Sequence, residues 1–309
     1  MTPAPADQNI TPLKALGPIA LCTIFGANAV AIKVSLTGLG PFTAAGIRFS
    51  IAAAVIALWA RLTGRSFRLS AQQVRSLSVL CGIFTIQLSL FYLGLSKTLA
   101  SRGALMVNTV PFFVLIFAHF FIPGDRISTR KLIGMVLGFS GVAVVLTQGA
   151  TLGGELRTGD GIVFLAAIFW AANAVYTKSI IHRFDTFQVV LYPMLCAIPI
   201  QFLEGWLWDG VMIHHIDGPV MLAVLYQSLI CAAFGFVLWN HFVARYGAST
   251  LHSFIFIMPI AGVAASGWLL GDPISIDLVI AMGLIATGIV LVNIKPKPGT
   301  PAFPAGKSF

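Results

Sequence analysis

The 309-residue chain is 58% hydrophobic and only 9% charged, whereas soluble globular domains carry roughly 25% charged residues. A water-soluble globule is therefore excluded. The net charge of +9 needs no nucleic-acid partner, because membrane lipids with anionic headgroups are sufficient partners for a basic membrane face.

Apolar segments of about 20 residues recur along the chain, which is the length that a helix needs to cross a hydrocarbon core. Lipid cannot satisfy unpaired backbone groups, and the alternating segments of a transmembrane barrel are absent, so each segment is predicted to be a helix. The fold class is therefore an all-α polytopic membrane protein with ten transmembrane helices. They are predicted at Leu13–Val34, Phe42–Leu62, Ser76–Leu95, Gly103–Ile122, Leu132–Gln148, Gly161–Ile181, Phe187–Trp208, Pro219–Ala244, Thr250–Leu270 and Ile274–Ile294.

Polar segments flank and divide these spans. We expect residues 1–12 and 295–309 to be disordered cytoplasmic tails, and residues 149–160 to be a linker loop. The first segment lacks the basic start and the cleavage pattern of a signal peptide. The four cysteines fall inside predicted spans without C-x-x-C spacing, so we expect packing residues and no disulfide, metal or cofactor.

The charges predict an orientation. If both termini are cytoplasmic, 14 of the 19 basic residues lie on the cytoplasmic side and 5 on the other, whereas acidic residues show the opposite bias. The positive-inside rule therefore predicts a multi-pass protein of the bacterial cytoplasmic (inner) membrane with both termini in the cytoplasm.

The chain also contains an internal repeat. Three blocks recur in the same order at spacings of 145 to 148 residues: Ile24–Lys33 as Phe169–Lys178, Phe91–Ser101 as Trp239–Ser249, and Pro123–Ser128 as Leu270–Ser275. Each half holds five predicted helices, an odd number, so the second half must enter the membrane from the opposite side. We predict two inverted five-helix repeats, 13–148 and 161–294, around a central cavity, an arrangement common in secondary transporters.

These blocks resemble the drug/metabolite transporter superfamily, in its ten-helix EamA-type branch, over nearly the whole chain between the tails. The resemblance rests on the N-x-x-x-x-K end of the first helix in each half, on Arg48, on the F-Y-x-x-L…A-S block and on the paired Pro…G-[ED]-x-[IL]-[ST] stretch. Asp125 and Asp272 stand where the family usually carries Glu. Within the family, the chain is most similar to YddG-type exporters of aromatic amino acids. The resemblance implies a substrate cavity between the first four helices of each half, with the fifth helix of each half peripheral.

Polar and aromatic residues at mid-membrane depth are the candidate substrate-binding residues. Polar side chains are unfavourable in lipid, so each faces a cavity or another helix, and either interpretation is open for a single residue. Asn28 and Asn173 rank higher because the repeat places them at equivalent depth. These candidates are Asn28, Gln87, Tyr92, Asn108, Trp170, Asn173, Tyr176, Trp239, Asn240 and His252. Phe25 and Phe91, which belong to the aromatics that recur on the first and third spans of the two halves, could line the same site.

Three further residues are gating or hinge candidates. Arg48 lies far enough inside its span to favour a structural or gating ion pair, although no partner is evident. Pro111 and Pro259 each remove one helical hydrogen bond and should bend the fourth helix of their half. Lys33, Lys97 and Arg102 lie near span ends, where we expect them to extend to the lipid headgroups.

The sequence thus predicts a secondary transporter that exports small metabolites, above all aromatic or other hydrophobic amino acids, by alternating access. The alternative is efflux of lipophilic cations or drugs. No catalytic motif indicates an enzyme, and either a monomer or a homodimer is compatible with the sequence. The first span lacks an acidic residue, so facilitative transport is favoured over a histidine proton relay through His119, His241 or His252.

Overall fold

The computed structural model describes residues 12–122, 127–152, 154–235, 238–239, 241–242, 251 and 254–293. These residues form helices joined by short connections, and Leu39 and Ile213 make an isolated antiparallel bridge. The α-helices are α1 (Pro12–Ser35), α2 (Pro41–Leu62), α3 (Ala71–Lys97), α4 (Ala100–Val107), α5 (Val110–Phe121), α6 (Thr129–Leu152), α7 (Gly154–Ile180), α8 (Gln188–Trp208), α9 (Gly218–Leu225), α10 (Ile257–Leu270) and α11 (Ile276–Asn293), with a π-helical segment at Tyr226–Gly235.

The helices have the length and composition of membrane spans. Among the described residues, nine helices are long and apolar enough to cross a membrane, with α4–α5 counted as one and α9 with the π-helical segment as another. The helix α10 is apolar but shorter. The predicted all-helical polytopic fold class is thus confirmed over the part of the chain that the structure describes. The predicted tails lie, except for Pro12, outside that part.

Local sequence determines where several helices begin. At the start of α3, Ser70 Oγ accepts a hydrogen bond from the Gln73 backbone N–H (3.3 Å), and Gln73 Oε1 accepts one from the Ser70 N–H (2.8 Å), a reciprocal cap. Pro41 is the first residue of α2, where a helix loses nothing by lacking an N–H. Asp217 caps α9 by accepting from the Val220 N–H at 2.9 Å.

The two predicted proline bends coincide with breaks in the helices. A turn at Asn108–Thr109 separates α4 from α5, two residues before Pro111. In the second half a turn at residues 254–256 precedes α10, whose third residue is Pro259. Proline cannot donate to the carbonyl four residues earlier, which favours a break at this point. Whether the breaks act as hinges stays a prediction.

Helix packing follows a paired pattern. The helix α1 contacts α10 and the α9–π segment, and α7 contacts α4–α5 and α3. The helix α2 packs against α8, and α6 packs against α11. Matching α1 with α7, α3 with α9–π, and α4–α5 with α10 therefore gives these contacts of α1 counterparts in the contacts of α7.

The fifth helices of the two halves, α6 and α11, approach each other through glycine. A Cβ built on Gly134 would lie 2.8 Å from the backbone oxygen of Gly288, and one built on Gly288 would lie 2.5 Å from that of Gly134. Small residues permit such close packing of membrane helices. These glycines therefore serve contacts within the chain.

The predicted linker loop at 149–160 is wrong in its secondary structure. The helix α6 continues to Leu152 and α7 begins at Gly154, so most of the segment is helical. Asp160 shows why a polar residue in this segment did not indicate a loop. It is fully buried within α7 and has a buried cationic partner, so a polar residue is stabilised inside the bundle.

Candidate functional site

The two ends of the bundle differ in charge. The end that holds the connections 63–70 and 181–187 carries Arg65, Arg68 and Arg183, and is called the basic end here. The opposite end, where α1 ends and α8 ends, carries Asp209 and Asp272 and is called the acidic end.

A cavity of about 650 Å³ lies between α1–α5, α7, α8, α10 and the π-helical segment. Binding sites for small organic ligands measure about 300–1,000 Å³. The cavity wall starts inside the bundle at Asn28 and Arg48, and it reaches the basic end at Ile181 and Thr186. No described residue of α6 or α11 lines it. The cavity thus extends from the interior of the bundle toward the basic end.

Helical periodicity brings the lining residues onto single faces. In α3 the wall is formed by Phe84, Gln87 and Phe91, and in α7 by Trp170 and Asn173 with Thr177 one turn later. Residues three or four positions apart lie on one side of a helix. Both α3 and α7 therefore present aromatic and amide groups to the cavity.

Aromatic rings make up much of the wall. Three pairs of lining residues contact each other: Phe25 with Trp239 (centroids 6.1 Å apart), Phe49 with Phe84 (5.5 Å) and Phe91 with Trp170 (5.7 Å). The last two pairs meet edge to face, which is a favourable arrangement for aromatic rings. Such a wall suits a flat apolar ligand group.

Four amide side chains interrupt the apolar wall. Asn108 Nδ2 donates to the Ala104 carbonyl at 2.7 Å. In contrast, Asn28 Oδ1, Gln87 Oε1 and Asn173 Nδ2 are buried and have no hydrogen-bond partner among the described residues. Leaving a buried polar atom unmatched costs about 1–3 kcal/mol. Residues of the cavity wall therefore carry hydrogen-bonding atoms that no described residue satisfies.

Arg48 is the one basic residue in the described cavity wall. Its side chain is buried, and Nη1 donates to the Tyr92 hydroxyl at 3.3 Å. The Tyr92 hydroxyl donates in turn to Gln227 Oε1 at 2.8 Å, and Gln227 Nε2 donates to Ser35 Oγ at 3.1 Å. No described carboxylate lies within ion-pair distance of Arg48, and its Nε has no partner there. The ion pair expected for Arg48 is thus not found among the described residues.

A different arginine forms the buried ion pair. Arg102, only 1% exposed, donates from Nε and Nη2 to Asp160 Oδ2 at 3.0 and 2.5 Å. Nη1 donates to Gln148 Oε1 at 3.0 Å, and Thr98 Oγ1 donates to Asp160 Oδ1 at 2.6 Å. The prediction that Arg102 extends to the headgroups is therefore wrong, because a buried carboxylate satisfies its guanidinium inside the bundle.

Hydrogen bonds close the acidic end. Asp272 Oδ2 accepts from the Ser101 N–H and hydroxyl at 3.1 and 3.0 Å, at the start of α4, and also from the Ser266 hydroxyl. The Gly40 N–H donates to the Met212 carbonyl at 3.0 Å, and the loops between α1 and α2 and between α8 and α9 meet there. The contacts of Asp272 with Ser101 and of Gly40 with Met212 join residues more than 160 positions apart and link the two halves at the end opposite the cavity mouth.

The structure places most of the predicted site residues in or near the cavity. Eight of the predicted site residues line the cavity: Asn28, Gln87, Asn108, Trp170, Asn173, Trp239, Arg48 and Pro111. Tyr92 lies directly behind Arg48, Tyr176 donates to the Ser76 carbonyl at 3.2 Å, and Pro259 is buried behind the wall. Asn240 and His252 lie outside the described residues. His119 and His241 are exposed and do not line the cavity. A binding or gating role for any of these residues stays a prediction.

Two lining aromatics were not predicted. Phe49 follows Arg48 and lies within 5.0 Å of its guanidinium, and Phe84 contacts Phe49. Phe84 lies three and seven positions before Gln87 and Phe91, so helical spacing from the candidates was a signal that could have identified it. Phe49 carried no comparable signal.

Comparisons with known proteins agree with this architecture. A "Probable amino-acid metabolite efflux pump" of Escherichia coli is 24% identical over 276 residues, covering 87% of this chain and 90% of the relative. A "Probable terminal-alkyne amino-acid exporter" of Streptantibioticus cattleyicolor is 29% identical, covering 91% and 93%. The "Uncharacterized transporter YvbV" of Bacillus subtilis is 26% identical, covering 90% of each chain. A solved crystal structure matches with a TM-score of 0.63 at 19% identity, covering 89% of this chain and 94% of that one, which shows a shared fold.

The family comparison covers both halves of the chain. The model of the EamA-like transporter family matches twice, over residues 14–147 and 157–294. Membership of a transporter family implies a carrier of small molecules rather than an enzyme. The chain, a multi-pass membrane protein, belongs to the EamA-like transporter family.

Proposed function

We propose that this protein exports hydrophobic amino acids, and aromatic ones above all, from the cytoplasm by alternating access. The observation that carries the proposal is the cavity, which combines aromatic walls with one buried guanidinium. Such a site matches a small molecule with an apolar side chain and an anionic group.

The aromatic wall favours a substrate with a flat apolar group. Trp170 packs edge to face on Phe91, and Phe49 does the same on Phe84. A further ring placed between these pairs would gain the stacking and edge contacts that aromatic residues make with one another. An amino acid with a small side chain would leave this wall largely uncovered.

The charges of the two ends support access to the cavity from the cytoplasm. The cavity reaches the basic end, and the positive-inside rule assigns that end to the cytoplasm of a bacterial inner membrane. Both termini are then cytoplasmic. The described conformation would accept substrate from inside the cell while the acidic end is closed.

The paired packing supports alternating access between two inverted repeats, 13–148 and 161–294. Contacts of α1 with α10 have their counterpart in α7 with α4–α5, and the helix breaks before Pro111 and Pro259 fall at matching positions. Two halves of similar structure can exchange conformations, which would close the basic end and open the acidic one.

The alternative of lipophilic cation efflux fits the cavity less well. Aromatic rings bind cations, but Arg48 is a fixed positive charge in the wall, and no described lining residue is acidic. A cationic substrate would therefore meet repulsion without a carboxylate to offset it. The names of the Escherichia coli and Streptantibioticus relatives also refer to amino-acid export.

Efflux from cells tests the proposal. Bacteria that lack their own aromatic amino acid exporters are loaded with a phenylalanine-containing dipeptide, and phenylalanine appearing in the medium is measured. We expect the wild-type chain to accelerate its release, and Trp170→Ala to abolish most of the gain. Trp268→Ala is the matched control, because Trp268 is 85% exposed on the outer surface of α10. Release no faster than from cells with an empty vector would overturn the proposal.

A further inference from the structure

We infer that Arg48 binds the α-carboxylate of the substrate while the side-chain oxygens of Gln87 and Asn28 accept from its ammonium group. The inference rests on the proposed function, and it assigns a recognition role to three polar side chains of the cavity. It also predicts which chemical groups a ligand must carry.

Arg48 has the properties of a receptor for an anion. It is 9% exposed and lines the cavity, and its Nε has no partner among the described residues. Only Nη1 is engaged, by the neutral Tyr92 hydroxyl. A buried charge requires a counter-charge, and a carboxylate is the group whose two oxygens match the guanidinium fork. Since no described carboxylate is within reach, a ligand would supply it.

Tyr92 and Gln227 fix the guanidinium in place. The Tyr92 hydroxyl accepts from Arg48 and donates to Gln227 Oε1 at 2.8 Å, and Gln227 Nε2 is held by the Ala31 carbonyl at 3.0 Å. Tyr92 and Gln227 are both fully buried. These hydrogen bonds engage Nη1 and leave Arg48 Nε without a described partner, so Tyr92 is a positioning residue for the carboxylate site.

Gln87 and Asn28 supply the complementary acceptors. Gln87 is 5% exposed, and its Oε1 and Asn28 Oδ1 are both without a described partner. Both residues line the same cavity as Arg48. A primary ammonium carries three donors and no acceptor, so two amide oxygens satisfy most of its hydrogen bonds. Neither oxygen would be satisfied by a ligand that carries only a carboxylate.

The depth of these residues separates a polar from an apolar part of the site. Arg48 lies seven residues from the acidic-end terminus of α2, and Asn28 lies seven from that of α1, about 10 Å along each helix. Asn173 and Thr177 lie nearer the basic end. The amino-acid head would therefore occupy the closed end of the cavity, and the side chain would point toward the mouth along Trp170.

Binding to the purified protein tests the inference separately from transport. Displacement of radiolabelled phenylalanine from protein in nanodiscs is measured with phenylalanine, phenethylamine, which lacks the carboxylate, and 3-phenylpropionate, which lacks the ammonium. We expect phenylalanine to displace the label on the order of 100-fold better than either analogue, because each analogue leaves buried polar groups unpaired.

Two variants test which residue recognises the carboxylate and which recognises the ammonium group. With phenethylamine labelled as well, Arg48→Gln should reduce the preference for phenylalanine over phenethylamine to within a few-fold. Gln87→Leu should instead reduce the preference over 3-phenylpropionate, because it removes the acceptor. Arg61→Gln is the matched control for the first variant, since Arg61 is an exposed residue at the other end of α2.

The outcomes distinguish the two proposals. Equal displacement by all three compounds in the wild type, or unchanged preferences in both variants when size-exclusion profiles show them folded, would overturn the inference and leave amino-acid export standing. Absence of any phenylalanine binding to wild-type protein would overturn the export proposal and the inference with it. An unfolded Arg48→Gln is replaced by Arg48→Lys, which keeps the charge and should lose most of the preference for the carboxylate because it lacks the planar fork.

Discussion

Asp209 at the carboxyl end of α8 caps α2 through Thr43: its Oδ2 accepts from the Thr43 N–H at 2.9 Å and from the Thr43 hydroxyl at 2.7 Å. The Phe42 N–H donates to the other carboxylate oxygen at 3.2 Å. A carboxylate at a helix amino terminus satisfies free N–H groups and is favoured by the helix dipole. In this protein the cap comes from a residue 166 positions away, so it also ties α8 to α2 at the acidic end.

Removal of this cap should open the acidic end more often. In Asp209→Ala the closed state loses about 1 kcal/mol, which corresponds to about a fivefold change in population. The readout is Cys231, which lines the cavity. With Cys22, Cys81 and Cys196 replaced by Ser, a membrane-impermeant maleimide applied to intact cells should label Asp209→Ala about fivefold faster.

Asp217 provides the control for this experiment. It caps α9 through Val220 within its own helix, so Asp217→Ala removes a helix cap without removing a link between α2 and α8. Its labelling rate should match the parent. Equal rates in both variants would mean that the Asp209 cap does not hold the acidic end closed.

The ion pair of Arg102 and Asp160 should contribute strongly to stability. Breaking a buried pair leaves an uncompensated charge and costs about 3–5 kcal/mol, so Arg102→Met should unfold at a markedly lower temperature in detergent. The double variant Arg102→Met/Asp160→Leu should lose less than the sum of the single variants, because it buries no unpaired charge.

An exposed pair offers a comparison. Arg65 and Asp185 lie 2.9 Å apart with their side chains 49% and 33% exposed, and exposed pairs contribute about 0–1 kcal/mol. Arg65→Met should therefore have little effect on the melting temperature. If Arg102→Met were as mild as Arg65→Met, the interpretation of the buried pair would be wrong.

The contact between α6 and α11 should not tolerate a side chain at its centre. In Gly288→Leu the new Cβ meets the Gly134 backbone oxygen at 2.5 Å, so the helices must separate. We expect a large loss of monodisperse protein on size-exclusion chromatography. Gly283→Leu tests the same substitution on the same helix, where nothing lies within 4 Å of the added Cβ. Similar yields for the two variants would contradict the packing.

The helix break before Pro111 should affect transport more than binding. In Pro111→Ala the new N–H can donate to the Val107 carbonyl and join α4 to α5 across the turn at Asn108–Thr109. We expect the transport rate to fall several-fold while phenylalanine affinity stays within about twofold of wild type. Pro199→Ala, at an exposed position of α8, should leave both unchanged. An unaltered transport rate in Pro111→Ala would argue against a hinge.

Much of the fold could be predicted because membrane helices have a length set by the bilayer. The predicted bounds of the spans also placed Asn28, Gln87, Asn108 and Asn173 at mid-membrane depth, and all four line the cavity. Such predictions need only local sequence, since depth in a span follows from residue number.

Contacts between residues that are far apart in the sequence could not be predicted from local sequence. Arg102 and Asp160 are 58 positions apart, and Asp160 lay in a segment predicted as a loop, so nothing local paired them. Likewise, Arg48 was expected to have a carboxylate partner, and only the three-dimensional arrangement places Tyr92 and Gln227 beside it instead. The partner of each buried polar side chain depends on helix packing, and local sequence patterns do not determine that packing.

Counterflow in proteoliposomes tests the central claim most directly. Vesicles that contain the purified protein and a high concentration of unlabelled phenylalanine are diluted into a trace of labelled phenylalanine. If the cavity carries amino acids by alternating access, the label will accumulate inside transiently above its equilibrium level, and Trp170→Ala will greatly reduce this overshoot. Uptake that only equilibrates, or that matches protein-free vesicles, would contradict the account.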